Sequence, residues 1–385
     1  MTNIPPELRP IIAQVRQQNP QLAALPDEEV SRLIMQAMEQ QAGPPTGEQD
    51  LEKMSAYDLI ARGEQLLNLG RWQKAEQYLL QGAENAERES NPELQCAAYV
   101  DLGRLCCDRG NFPQAIALFQ QALTLVERID DRRLMGVIYD EMGSTCRMQG
   151  GYPQAIEYYK KSLEIHTDMG NEQDIAVEYG NLGNVYTQRD DFERAIQAYK
   201  KSLEYSIKLG MEQESVQVYG NLGVVYQKQG RYDLAIEMCQ QSLEITLRIG
   251  DQRSAASIYG NLGNVHRERG NYEAAIQMCQ KALEIFEQIG DEPSAAQAYG
   301  NLAIVYKNIG DVGQALAYHH KDLAITERIG DRHNAAITYV NLGNLYRDQG
   351  DAAQARAHYE KAKALFEMVG DAQHAQQAVQ ELQQL

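Results

Sequence analysis

The 385-residue chain is poor in residue types that define several common protein classes. Six Cys over this length are too few for a dense disulfide framework. Positive charge is in deficit, since 36 Lys and Arg stand against 54 Asp and Glu, a formal net charge of −18. Nucleic acids and anionic membranes are bound through basic surfaces, so neither is expected as a partner.

Long apolar runs are absent as well. No stretch approaches the roughly 18 apolar residues of a membrane-spanning helix. The first six residues, Met1 to Pro6, lack the basic and apolar regions of a signal peptide. We therefore expect a cytoplasmic protein, and a hydrophobic content of 43% is ample for its core.

What the sequence does contain is an internal repeat of 40 residues. Three columns follow this spacing: Tyr99, Tyr139, Tyr179, Tyr219, Tyr259, Tyr299 and Tyr339; Gly103, Gly143, Gly183, Gly223, Gly263, Ala303 and Gly343; Ala115, Ala155, Ala195, Ala235, Ala275, Ala315 and Ala355. A degenerate first copy precedes them, with Gly63 and Ala75 in register. The chain therefore carries eight copies over about residues 51–370.

Each copy is predicted to form two helices. In the sixth copy, Gly250 can end the preceding helix in a left-handed conformation and Asp251 can cap the next one. The buried stripe of the first helix is Tyr259, Leu262, Gly263 and His266, and that of the second is Tyr272, Ala275, Ile276, Cys279, Leu283 and Phe286. Small residues in both stripes let the paired helices approach closely.

The columns resemble the tetratricopeptide repeat, which has Gly or Ala at its eighth place, an aromatic residue at the eleventh and Ala at the twentieth. The Tyr-Gly-Asn-Leu-Gly-Asn runs at 179–184 and 259–264 are similar to the 40-residue repeats of spindle-orientation adaptors named for their Leu-Gly-Asn sequences, and to bacterial arrays. The resemblance implies an all-α fold. It is expected to be a right-handed superhelical solenoid of eight helix pairs plus a C-terminal helix.

The two ends depart from the repeat. Residues 1–42 are expected to form an N-terminal arm or cap with helices at 7–18 and 27–41, followed by a flexible linker at 43–50. The apolar face of the second of these helices could dock on the first repeat or on another protein. Residues 371–385 are predicted to form a C-terminal capping helix, which stacked arrays need.

Asn recurs on one face of the predicted first helices. The ladder consists of Asn181, Asn221, Asn261, Asn301 and Asn341, with a second set at Asn184, Asn264 and Asn344. An Asn amide offers donors and an acceptor that match a peptide backbone. In peptide-binding members of the family that the chain resembles, Asn at these positions clamps the ligand backbone, so the resemblance implies a peptide-binding role for this ladder.

Glycine precedes the ladder in four copies, at Gly180, Gly220, Gly260 and Gly300. A mid-helix Gly costs about 1 kcal/mol relative to Ala. Four glycines in register therefore indicate a functional reason for this cost, such as room for a ligand backbone. The alternative is that the glycines allow tight helix stacking and that the amides bond across neighbouring helices.

Charged residues lie at both ends of the ladder. Arg267, Lys307 and Arg347 form a basic row that either meets an acidic group of the ligand or is an ordinary solvated face. In the earlier copies Asp101, Asp140 and Glu141 replace the Asn residues, which predicts an acidic surface there.

Four Cys residues occupy columns that hold aromatic residues in other copies. Cys106 and Cys146 take the place of Tyr186, and Cys239 and Cys279 take the place of Tyr199. They are predicted to be small buried apolar residues. No Cys or His spacing completes a zinc site, and no catalytic or phosphate-binding pattern is present, so we expect neither an enzyme nor a cofactor.

The sequence favours a non-enzymatic adaptor or scaffold that binds a protein or peptide partner along the concave groove. A regulatory peptide receptor is a narrower form of the same hypothesis. The alternative is a structural protein that self-associates through its ends or its N-terminal helices.

Overall fold

In the computed structural model, residues 56–383 form seventeen α-helices, and residues 51–385 contain no strand. The structure describes Val30 and residues 51–385. The predicted helices at 7–18 and 27–41 and the linker at 43–50 therefore lie outside the described residues, Val30 excepted, and stay predictions. The all-α prediction is confirmed.

The chain divides into two units, of which the first ends at Asp191 and the second begins at Phe192. The first unit holds α1 (Ala56–Asn68), α2 (Trp72–Arg88), α3 (Pro92–Asp108), α4 (Phe112–Ile129), α5 (Arg132–Met148), α6 (Tyr152–Met169) and α7 (Glu172–Gln188). The second holds α8 (Phe192–Leu209), α9 (Glu212–Lys228), α10 (Tyr232–Ile249), α11 (Gln252–Glu268), α12 (Tyr272–Gln288), α13 (Glu292–Ile309), α14 (Val312–Ile329), α15 (Arg332–Asp348), α16 (Ala352–Met368) and α17 (Ala372–Gln383).

Within each unit the helices pack as consecutive antiparallel pairs. An odd-numbered helix, the first helix of a repeat, packs against the next helix, and that second helix packs against the following first helix. In the first unit this chain of contacts runs from α1 to α7, and in the second from α8 to α17. The repeated helix pairs are those of a helical solenoid, and its predicted handedness stays a prediction.

The turns between helices follow the sequence signals. Gly250 ends α10 with φ of 76°, a left-handed conformation that glycine adopts without steric cost. The Asp251 carboxylate then accepts a hydrogen bond from the Ser254 amide at 3.0 Å, and so caps α11. Asn271 caps α12 in the same way through the Ala274 amide. The predicted ends of these helices are confirmed.

Small residues set the distance between the helices of a pair. The Ala residues of the repeat's Ala column, from Ala75 to Ala355, are fully buried. A Cβ on Gly263 would lie 2.4 Å from the Cys279 Sγ, and one on Gly143 would lie 2.8 Å from the Tyr159 ring. These glycines therefore allow the close approach that the sequence predicted.

The predicted burial of the four repeat-column cysteines is confirmed: Cys106, Cys146, Cys239 and Cys279 are buried and unpaired. Burial raises the pKa of the Cys239 and Cys279 thiols to about 11. Each thiol contributes to its core as a small apolar group.

No helix in the described part of the chain is long and apolar enough to cross a membrane.

Candidate functional site

The first helices present a repeated polar face beside their buried stripe. In α11 this face carries Gly260, Asn261, Asn264 and Arg267, whose spacing of three or four residues places them along one side of the helix. Leu262 and neighbouring stripe residues are buried against the second helices. We call the equivalents of residues 260, 261, 264 and 267 in all first helices the ladder face.

Several amides on the ladder face of the second unit have no protein partner. The side chains of Asn261, Asn264, Asn301 and Asn341 make no hydrogen bond to any residue that the structure describes. Asn261 is exposed, and the other three are half-buried. Their donors and acceptors are open to a ligand or to water.

The other four ladder residues have interactions of their own. The Asn181 amide donates to Asp140 Oδ1 at 2.9 Å, and Asn344 Oδ1 accepts from the Tyr359 hydroxyl at 2.8 Å. Asn184 and Asn221 also interact with other protein groups. The eight predicted residues therefore share a face but not a single environment.

Two of the ladder-face glycines border open space. A Cβ on Gly220 or Gly260 would meet no atom within 4 Å, whereas one on Gly300 would lie 3.2 Å from Asp322 Oδ2. Helix packing therefore does not require glycine at the first two positions. The tight stacking considered as an alternative applies to Gly263, three residues further along α11, and not to Gly260.

The basic row of the second unit lies among carboxylates. Arg267 pairs with Glu268 at 3.2 Å, and Lys307 Nζ lies 3.7 Å from Asp348 Oδ2. Arg347 pairs with Glu381 of the C-terminal helix and with Asp348 at 3.4 Å. The side chains of Arg267, Lys307 and Arg347 are 24%, 40% and 35% exposed. Ion pairs this exposed weaken the positive field of the row without removing it. A role of this row in ligand binding stays a prediction.

The equivalent face of α1, α3 and α5 in the first unit is acidic. Asp101 and Glu141 flank Arg104, which pairs with Glu141 at 2.7 Å and with Asp101 at 3.4 Å. Burial and the nearby Glu64 raise the pKa of Asp101 to about 6. Burial and Glu141 also raise the pKa of Asp140.

A buried carboxyl group on α7 lies behind Asp140. Glu178 is 2% exposed, and its Oε1 accepts a hydrogen bond from the Ser162 hydroxyl at 2.6 Å. Its Oε2 has no hydrogen-bond donor in the described part of the chain. Burial, and then the charge of Asp140, raise the pKa of Glu178, so this group is protonated when Asp140 is charged.

Sequence reasoning did not find Glu178. The same column holds Asp58 in the first copy and Ala98, Ile138, Val218, Ile258, Ala298 and Thr338 in the others. A charged residue in a mostly apolar column was the available signal. In the eighth copy the hydroxyl and the carboxyl group change places. Thr338 is the counterpart of Glu178 and Asp322 that of Ser162, and the Thr338 hydroxyl donates to the Asp322 carboxylate at 2.7 Å.

No group of three or more His, Cys, Asp or Glu side chains within residues 51–385 could hold a metal ion. The stacked helix pairs define a helical repeat protein. The sequence model of the tetratricopeptide repeat matches residues 56–128, 94–168, 134–208, 214–288 and 294–368. The chain therefore belongs to the tetratricopeptide repeat family.

Solved structures share the fold at low sequence identity. The signal-transduction ATPase with a tetratricopeptide repeat sensor from Pyrococcus horikoshii is 21% identical, with a TM-score of 0.61 over 81% of this chain and 47% of its own. The apo quorum sensor NprR from B. thuringiensis is 14% identical, with a TM-score of 0.60 over 94% of this chain and 99% of its own. A Rap protein complexed with Competence and Sporulation Factor is 16% identical, with a TM-score of 0.50 over 86% and 96%. No curated protein matches the sequence significantly.

Proposed function

We propose that the chain is a non-enzymatic, cytoplasmic adaptor whose second unit binds an extended segment of a partner protein along the ladder face. The observation that carries the proposal is the pairing of unpartnered amides with open glycines. Asn261 and Asn301 have no hydrogen-bond partner among the described residues, and Gly220 and Gly260 leave space beside them.

The chemistry of the amide suits a peptide backbone. Each Asn side chain can accept from a backbone N–H and donate to a backbone C=O, whatever side chains the ligand carries. Packed helices lie about 8–10 Å apart, and an extended peptide advances about 3.3 Å per residue. One rung per repeat can therefore meet about every third ligand residue.

Ladder-face glycines add to this fit. A ligand strand can lie against a glycine without meeting a Cβ, and the conformational cost of about 1 kcal/mol for a mid-helix Gly then has a functional reason. Exposed Val224 takes the place of Asn264 one repeat earlier, so the same face offers apolar contact to ligand side chains. The Rap protein complexed with Competence and Sporulation Factor has this fold, which supports the proposal that the fold binds a ligand here as well.

Site-specific photo-crosslinking tests the proposal. Benzoylphenylalanine is placed at Val224, which is 41% exposed on the ladder face, and at Glu244 as a control, which is exposed on the second helix α10. After irradiation in cells, we expect Val224 to cross-link to one segment of a partner protein and Glu244 not to do so.

Two outcomes contradict the proposal. Equal cross-links from both positions would show that the ladder face has no special role. Cross-links from Val224 only to other copies of this chain would favour the self-associating scaffold.

A further inference from the structure

The ladder face of the first unit differs from that of the second in charge. At the positions equivalent to residues 260, 261 and 264, α1, α3 and α5 carry Glu64, Asp101, Asp140 and Glu141. In the second unit, α9, α11, α13 and α15 have glycine, asparagine or aliphatic residues at these positions, and α17 has Gln380 and Glu381. The acidic residues therefore occupy the surface that corresponds to the proposed peptide-binding face.

Positive charge on this surface is too low to balance the carboxylates. On the ladder face of α1, α3 and α5, Arg104 and Arg147 are the two cations, against four carboxylates. Arg104 already contacts both Glu141 and Asp101. The pKa of Asp101 is nevertheless raised to about 6, by burial first and by Glu64 second, so an added cation would be stabilised here.

The buried carboxyl group of Glu178, behind Asp140, also supports a site for a cation on this surface. Glu178 is almost fully buried, its Oε2 lacks a donor within the described chain, and the charge of Asp140 acts on it. The fold does not need a carboxyl group there, because Val218 and Ile258 fill the same column with apolar side chains. Glu178 is protonated when Asp140 is charged, so it holds a proton that can be released directly beneath the acidic surface.

We propose that Asp101, Asp140 and Glu141 form a binding site for a cationic side chain, an arginine or lysine of the partner segment. The inference deepens the proposed function and rests on it for the source of that side chain. A guanidinium or ammonium group would bond the outward carboxylate oxygens and lower their pKa values. Binding near pH 6 must then release protons from groups that the free protein holds partly protonated.

Calorimetric titration of the full chain with acetyl-tetra-arginine-amide tests the site. Two buffers of different ionisation enthalpy are used at pH 6 and at pH 8. We expect release of about one proton on binding at pH 6, because Asp101 and Asp140 are partly protonated there, and less at pH 8. The Asp101→Asn/Glu141→Gln variant should bind at least tenfold more weakly and lose most of the proton release.

A charge-matched variant separates this site from general attraction to an acidic protein. Glu244→Gln with Glu284→Gln removes the same charge from exposed positions on α10 and α12, and should change the affinity less than twofold. Equal weakening in both variants, no binding by the wild type, or binding without proton release at pH 6 would each overturn the proposal. Asn261→Ala with Asn301→Ala should leave the proton release per bound tetra-arginine at pH 6 unchanged, because neither amide titrates, so the failure of this site and the failure of the backbone ladder are distinguishable.

Discussion

The Asn181 amide donates a hydrogen bond to the Asp140 carboxylate, with 2.9 Å between Nδ2 and Oδ1. Asn261 lies in an identical Tyr-Gly-Asn-Leu-Gly-Asn run and has no partner among the described residues. The difference comes from the preceding first helix, because the residue equivalent to Asp140 is Gly220. Gly220 on one first helix therefore leaves Asn261 on the next one open to a ligand.

Glycine substitutions at two places in α11 should have opposite effects on stability. Gly260→Ala should raise the free energy of unfolding by about 0.5–1 kcal/mol, since alanine is the better helix former and its Cβ meets nothing. Gly263→Ala should lower it by about 1–3 kcal/mol, because its Cβ would lie 2.4 Å from the Cys279 Sγ. Urea unfolding of both variants measures the difference. Equal destabilisation would show that Gly260 is needed for packing.

Gly220→Asp should transfer the first unit's arrangement to the second. The new carboxylate would accept a hydrogen bond from Asn261, as Asp140 does from Asn181. Partner binding should then weaken about fivefold or more, since one rung is occupied by the protein. Gly220→Ala is the matched control, because it adds a Cβ without an acceptor. Unchanged affinity in the aspartate variant would remove Asn261 from the binding face.

Glu178 should make the stability of the protein depend on pH. Burial and Asp140 raise its pKa, so the folded chain keeps the proton at pH values where the unfolded chain has lost it. Stability is therefore lost as the pH rises above about 4.3, the ordinary pKa of Glu, towards the raised folded value. Glu178→Gln should remove this loss, because an amide can still accept from Ser162 and donate to Asp140 without titrating.

Urea unfolding at pH 4 and pH 8 measures this effect. The glutamine variant should be more stable than the wild type at pH 8, by on the order of 2 kcal/mol, and nearly equal to it at pH 4. Ser162→Ala is a useful control, since it removes a hydrogen bond to Glu178 and leaves the titrating group in place. The same difference at both pH values would contradict the raised pKa.

Much of the fold could be predicted from the sequence because the repeat has a fixed length. A column such as Ala75 to Ala355 repeats one packing environment, so burial in one copy implies burial in the others. Turn positions such as Gly250 and Asp251 carry their own local signals. These features depend on residues close together in the chain.

The environment of individual site residues could not be predicted in this way. Asn181 and Asn261 lie in identical Tyr-Gly-Asn-Leu-Gly-Asn runs, but the residue 41 positions earlier is Asp140 for the first and Gly220 for the second. Glu178 follows Val177 and lies one turn before Asn181, a position that the sequence suggests is on a solvated face. It is buried because its side chain points towards Ser162 of α6 instead.

The double variant Asn261→Ala with Asn301→Ala tests the central claim most directly. The ligand is the partner segment that the Val224 cross-link identifies, titrated calorimetrically against the wild type and the variant, with a thermal melt of each. Each lost hydrogen bond should cost about 0.5–1.5 kcal/mol, so the pair should weaken binding roughly fivefold to 150-fold. The melting temperature should barely change, because neither amide bonds to the described protein and alanine favours the helix. Unchanged affinity together with a clear drop in melting temperature would contradict the backbone clamp.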